Sequence, residues 1–392
     1  MSARIDSLQI GMHWFRERPG GLDRVFMALI ESLPTQGVDV RGLVAGSPKV
    51  FAESSGVIQT FASAQQSLGV RLWHARMHSQ KLKRVRAPDI VASHFALYAA
   101  PTLGVFPGVP KVVHFHGPWA DETSLDGRRR ASRAVRRAIE WAVYRGAARH
   151  IVLSRAFGRI LHEQYGVHEE SIRVVPGCVD VACFDIGVTK QQARAALGLP
   201  NDRPQLFCIR RLVSRMGLED LIDAMFLVKQ AVPDVLLTIA GKGPLEAALR
   251  GRIAARGLTE HVKLAGFVTD AALPLWYRSA DVTVVPTVAL EGFGLTTAES
   301  LATGTPVLVT PVGGLPEAVA PLSEHLVLPS VGFHAIGTGI VDALLGERPL
   351  PDAQECRAYA QARFDYPVIA AQVADVYREA LGERRTAAYV AA

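Results

Sequence analysis

Short, nearly continuous apolar runs alternate along the chain with longer segments of helical spacing, and the alternation occurs twice. In the first half the runs 7–15, 38–46, 88–95, 110–117 and 149–154 read as strands, with helical patterns between several of them, such as 21–37. Apolar strands linked by helices predict a parallel sheet buried on both faces. The pattern breaks at 175–204, a mixed stretch with prolines and glycines that reads as a connection between domains. It resumes with strands at 205–212, 235–241, 262–268, 281–287 and 305–311, and helices at 217–231, 244–257, 272–280 and 295–304. A further helix is predicted over 366–385. The expected class is α/β, with an N-terminal Rossmann-like domain over 1–175, a linker over 176–204 and a C-terminal Rossmann-like domain over 205–360. A C-terminal helix and tail over 361–392 is expected to pack back toward the N-terminal domain. Two doubly wound parallel sheets would face a central cleft, and ligands of such sheets sit outside the carboxyl ends of the strands.

Composition narrows the classes. Of 392 residues, 49% are apolar and 20% charged, which is ordinary for a globular protein of about two domains. No apolar run reaches the length of a membrane span, and the N-terminus lacks a signal-peptide pattern, so the expected compartment is the cytosol. Four cysteines argue against a disulfide framework. Cys178 and Cys183 form a lone C-x4-C pair without partners at metal-ligand spacing, and read as free thiols. The net charge is +6, and arginine is concentrated in 126–150. An ordinary solvated face, docked through Ile139, Ala142 and Val143, is the preferred reading of that segment. A peripheral contact with an anionic membrane is the functional alternative. No nucleic-acid-binding motif is present, so no nucleic-acid partner is expected.

The candidate chemistry sits in 290–308, LEGFGLTTAESLATGTPVL, where a strand runs through a glycine-rich loop into a helix. Gly292 and Gly294 allow a ligand close to the backbone, and the helix N-terminus near Leu295 suits a phosphate. Glu299, about one turn in, is placed to accept from a ribose diol, and Glu291 from hydroxyls elsewhere on the same ligand. The spacing suggests a nucleotide sugar. Taken singly, either glutamate reads as a loop or helix-capping acid.

The stretch EGFGLTTAES resembles the E-x7-E element of retaining glycosyltransferases of family 4, which have the GT-B architecture. The stretches 19–25, 88–101, 112–117, 210–222, 240–245, 262–268, 273–287 and 305–319 match that family in order and rough spacing. The resemblance implies a C-terminal domain that binds the nucleotide-sugar donor and an N-terminal domain that binds the acceptor. It puts the ribose on Glu299. Glu291 and the amides of Phe293, Gly294 and Leu295 would face the sugar and diphosphate, with Gly241 and Gly243 lining the base side. His116 would lie near the transferred sugar. Gly20 and Gly21 would lie near the diphosphate and acceptor, and His94 is a weaker candidate on that side. Transfer would be front-face and retaining; the absence of a D-x-D motif argues against a metal, and no other cofactor is expected. His116, Glu291 and Arg211 are the expected catalytic set.

One departure concerns the family's G-R-L-x-x-x-K-G pattern, whose Arg and Lys clamp the diphosphate. Arg211 matches, but Met216 holds the lysine position and Arg210 the leading glycine, so either Arg210 or Arg215 would supply the second charge. A second departure is PGCVD at 176–180, where the family has P-N-G-V-D. The expected acceptor is a glycan or lipid-linked glycan of surface polysaccharide or lipopolysaccharide, met at the inner face of the cell membrane. A soluble metabolite is the rival acceptor. An epimerase or phosphorylase-like enzyme, a degenerate nucleotide-binding protein and an NAD-dependent oxidoreductase are the competing functions. The last is disfavoured by the missing G-x-G-x-x-G after the first strand.

Overall fold

The computed structural model describes residues 4–121 and 130–390. The chain forms two compact units, 1–176 with 366–392, and 177–365. In the first, β1 (Ile5–His13), β2 (Val38–Ala45), β3 (Ile58–Ala62), β4 (Ile90–Ser93), β5 (Lys111–Phe115), β6 (Arg149–Val152) and β7 (Ile172–Val174) make one sheet in the order β3-β2-β1-β4-β5-β6-β7. Every pairing is parallel; Ser7 of β1, for example, registers with Val40 on one side and Ile90 on the other. Leu8, Ile10, Leu43 and Val91 build a core on one face, and Val113, Phe115, Val152 and Phe157 build another.

The strands absent from the sequence reading are β3 and β7, the two edges of this sheet. Edge strands are half-exposed and need not be continuously apolar. Indeed β7 has no fully buried residue. The helix Tyr366–Val390 belongs to this unit, and its Tyr377, fully buried, bonds to Gln9 and His114.

The second unit has a five-stranded parallel sheet, β8 (Gln205–Ile209), β9 (Leu236–Ala240), β10 (Val262–Gly266), β11 (Val282–Val285) and β12 (Val307–Val309), in the order β10-β9-β8-β11-β12. The stretch expected as a linker folds within this unit instead. Asp180 caps the helix Val181–Phe184, and Thr189 and Gln192 form a reciprocal capping box on Lys190–Leu197. Lys190 and Arg194 then pair with Asp281 at the foot of β11, both at 2.7 Å. These charge-assisted contacts make the segment part of the domain rather than a tether.

Candidate functional site

In both sheets the strand order reverses direction at one place, between β1 and β4 and between β8 and β11. Ligands of doubly wound sheets bind outside the carboxyl ends of the strands at such points. The predicted site residues fall there. Arg210 and Arg211 follow β8, Gly241 and Gly243 follow β9, and Glu291 lies in the loop after β11. Likewise His94 follows β4, His116 follows β5, and Gly20 with Gly21 opens the helix Gly21–Ser32 beyond β1.

In the second unit, Arg210 reaches across the switch point. Its Nη2 donates to Glu291 Oε2 and to Thr287 Oγ1, and its Nη1 lies 3.4 Å from Thr296 Oγ1. The Arg210 and Glu291 side chains are 7% and 14% exposed, so the ion pair is largely desolvated. Arg215 Nη1 donates to the carbonyl of Leu290 at 2.8 Å, and Leu290 is held at φ +51°, a costly conformation for leucine. Met216 packs into the hydrophobic core, so the lysine position of the family pattern points away from the site. Among the described residues nothing pairs with the exposed Arg211 guanidinium.

Glu299 is buried and accepts a hydrogen bond from Tyr277 Oη at 2.7 Å. The helix Leu295–Ala302 begins at Gly294, and the Thr297 amide already donates to the Gly294 carbonyl. The Leu295 and Thr296 amides are therefore the ones an anion would meet. The Phe293 ring is buried edge-on against Phe364, which leaves only its backbone for a ligand. Gly241, at φ +130°, lies against the Arg210 carbonyl so closely that a β-carbon would collide with it. Gly243 similarly abuts the Leu212 carbonyl. Two buried polar atoms here, Arg210 Nε and Thr297 Oγ1, have no hydrogen-bond partner among the described residues. An orphaned buried donor is costly, and a polar ligand would relieve it.

In the first unit His94, His114 and His116 stack, with 4.1 Å between the rings of His94 and His114 and 5.5 Å between those of His94 and His116. Burial lowers all three pKa values, that of His116 to about 4, so the rings are neutral near pH 7. His94 lies beneath the surface rather than on it, with both nitrogens used, toward His116 at 3.3 Å and Gln9 at 3.0 Å. His116 is the half-buried member. At the end of β1, the His13 amide donates to Asp23 Oδ1 at 2.9 Å. Burial raises Asp23 to about 6, and burial followed by Arg18 lowers His13 to about 4. The sequence reading missed Gln9, His13, Asp23, Tyr277 and Thr287. Only Asp23 carries a local signal, an acid three residues after the glycine that opens a helix. Among the described residues no group of three or more His, Cys, Asp or Glu is arranged to hold a metal ion.

The family model described as Glycosyl transferases group 1 matches residues 189–363, and that described as Glycosyltransferase Family 4 matches 19–182. A D-inositol 3-phosphate glycosyltransferase of Arthrobacter sp. (strain FB24) is 30% identical over 321 residues, covering 76% of each chain. The chain belongs to glycosyltransferase family 4. A second relative of this glycosyltransferase is the lipopolysaccharide core biosynthesis mannosyltransferase LpsB of Rhizobium meliloti, 35% identical over 38% of this chain and 42% of LpsB. The fold aligns with Anabaena HepE, solved in complex with UDP-glucose, at a TM-score of 0.74 and 20% identity, over 96% of this chain and all of the other. The two parallel-sheet domains are those of a GT-B glycosyltransferase. Against the family pattern, the arginine at the glycine position and the methionine at the lysine position go to different places. The cation that replaces glycine is held by the first glutamate of the E-x7-E element, and the residue that replaces lysine joins the core.

Proposed function

We propose that this glycosyltransferase moves a hexose-type sugar from a nucleoside diphosphate sugar to an acceptor hydroxyl, with retention of anomeric configuration and without a metal. The observation that carries the donor half is the convergence on one strand switch point of a buried carboxylate, Glu299, a half-buried one, Glu291, a helix N-terminus and two orphaned polar atoms. Glu299, with one oxygen steadied by Tyr277, would take the ribose diol. The Leu295 and Thr296 amides and the guanidinium of Arg211 would stabilise the diphosphate as it leaves, as pre-aimed donors acting on developing charge. Glu291, oriented by Arg210, would bind hydroxyls of the transferred sugar. A phosphate oxygen of the leaving group would take the acceptor's proton, so the reaction asks the chain for positioning rather than a nucleophile.

For the acceptor we favour a lipid-borne glycan of a surface polysaccharide or lipopolysaccharide over a soluble metabolite. Two relatives support this reading by name, LpsB and a phosphatidylinositol monomannoside mannosyltransferase of Mycobacterium tuberculosis. Among the described residues no helix is long and apolar enough to cross a membrane. A surface contact has a better place than the arginine-rich helix Arg130–Tyr144. There Arg133 and Arg137 pair with Asp121, and Arg136 lies over the Trp119 ring. Arg129 and the Arg130 side chain lie outside the described residues. By contrast, the helix Leu68–Val85 has no acidic residue. It sets Val70, Trp73 and Met77 on one exposed face, continued by the exposed cations Lys81 and Arg84.

The testing experiment is thermal shift of the full chain with UDP-, GDP-, ADP- and dTDP-sugars, with Glu299→Ala alongside. A ligand bound only by the native state raises its apparent stability, by about 2.7 kcal/mol at a hundredfold excess over Kd. A shift for one base that disappears in Glu299→Ala supports the donor site and identifies its nucleotide. No shift with any of them would overturn it.

A further inference from the structure

A chain of buried hydrogen bonds behind His116 determines which of its two nitrogens carries the proton. Ser7 Oγ lies 3.1 Å from the Asp39 carbonyl, which can only accept, so the single Ser7 hydroxyl proton goes there. Ser7 Oγ must then accept from Gln9, 3.1 Å away, and the Gln9 atom facing it is the amide nitrogen. That nitrogen's second proton goes to Tyr377 Oη at 3.0 Å. The remaining Gln9 atom, Oε1, faces His94 Nε2 at 3.0 Å. A carbonyl oxygen accepts, so His94 Nε2 is protonated. His94 is neutral, because burial and then its neighbouring histidines hold its pKa well below the usual imidazole value, so its Nδ1 is bare. Bare Nδ1 faces His116 Nε2 at 3.3 Å and can only accept, so His116 Nε2 carries the proton. His116 is also neutral, and its Nδ1 is a lone-pair acceptor. No protein group bonds to that Nδ1 among the described residues.

We propose that Ser7, Gln9 and His94 are positioning residues that lock His116 in the Nε2–H tautomer, so that it presents Nδ1 as an acceptor to a hydroxyl of the sugar substrate. This rests on the reading that His116 faces sugar. The consequence is a selectivity rule. A hydroxyl at that position can donate to Nδ1, whereas a fluorine or a methoxy group of similar size cannot. All four side chains lie on or just beyond β1, β4 and β5, so the proton arrangement is fixed by strand register and not by a mobile loop.

The test is 15N NMR of the full chain labelled at histidine, with His116 assigned by comparison with His116→Asn. We expect a protonated, pyrrole-type Nε2 and a bare, pyridine-type Nδ1 at pH 7.5; the opposite pattern overturns the relay. Gln9→Leu removes the acceptor for His94, and the His116 signals should become a mixture of tautomers. Gln9→Glu keeps an oxygen there and should retain the single tautomer. If Gln9→Leu also leaves His116 unchanged while folded, the relay does not set the tautomer. Should Gln9→Leu not fold, the wild-type pattern and Gln9→Glu still decide. UDP-glucose and GDP-mannose are then added. The one that raises the melting temperature should move the His116 Nδ1 resonance and bind Gln9→Leu about tenfold more weakly, the cost of one hydrogen bond, but Gln9→Glu within about twofold. Binding without movement of that resonance overturns the role assigned to Nδ1. If neither binds, the ADP- and dTDP-sugars are added in turn; if none of the four binds, the donor reading fails, and the tautomer result stands or falls on the unliganded spectrum.

Discussion

Replacing Arg210 by methionine breaks its ion pair with Glu291 at the candidate site. The change keeps an unbranched stem and removes the charge, stranding the Glu291 carboxylate with 14% of its side chain exposed and Thr287 and Thr296 without their donor. Breaking a buried pair from one side costs about 3–5 kcal/mol, because the remaining charge is desolvated and unmatched. The residual exposure of Glu291 places the expectation at the low end, about 3 kcal/mol. For a unit of this size about 1 kcal/mol shifts the melting temperature by roughly 2–4 °C, so calorimetry should record a fall of about 6–12 °C. Arg210→Met with Glu291→Leu removes both charges, and should recover most of that loss, giving a coupling of about 2 kcal/mol in the double-mutant cycle. The reasoning is refuted if Arg210→Met shifts the transition by less than about 2 °C, or if the two changes simply add. It also separates two roles for Arg210. A guanidinium held in reserve for the diphosphate would show its loss in donor affinity and leave the melting temperature alone.

Two further outcomes are expected. Glu140 is fully buried among the Tyr144 and Tyr165 hydroxyls, and burial raises its pKa to about 7. A raised folded pKa means that its stability contribution is complete below about 4.5 and is lost as pH rises to about 7, some 3 kcal/mol in all. The melting temperature of Glu140→Gln relative to wild type should therefore climb between pH 5 and pH 8, and a flat difference would sink the assignment. Vesicles containing anionic phosphatidylglycerol should bind the full chain at low salt and release it as salt rises. Lys81→Glu with Arg84→Glu should weaken that binding at least thirtyfold, at about 1 kcal/mol for each lost cation. No binding at low salt, or binding lost instead with Arg136→Glu, would remove the contact from the helix Leu68–Val85.

The legible parts of the sequence were those that a local pattern dictates. Strands buried on both faces, such as β9 with all five residues buried, announce themselves as apolar runs. The E-x7-E element was legible because loop, helix start and both acids lie within one short stretch. The helix Phe333–Leu345 was not. It carries two interior glycines, which count against helix on propensity alone. Tertiary packing overrides that, since a β-carbon on Gly339 would strike Leu328 and one on Gly337 would crowd Ala224 and Leu227. The support of the histidine stack was equally hidden, because Gln9 and Tyr377 meet across 368 positions of sequence. No window of sequence holds both.

The arginine trio after β8 shows why the departure from the family pattern could be seen in the sequence but not resolved there. Three guanidiniums within six residues look interchangeable as candidates for a diphosphate clamp. Their destinations differ because each leaves the strand end in its own direction. Arg210 is turned across the sheet to Glu291 and Thr287. Arg215, in the 3-10 turn Ser214–Met216, holds the carbonyl of Leu290 and so the strained approach to Glu291. Met216, next in that turn, points the opposite way into the core. Two of the three charges are thereby committed to shaping the loop that carries Glu291. Arg211 is the one left exposed, which makes it the cation a diphosphate would meet first and the residue whose loss should weaken donor binding while leaving the fold untouched.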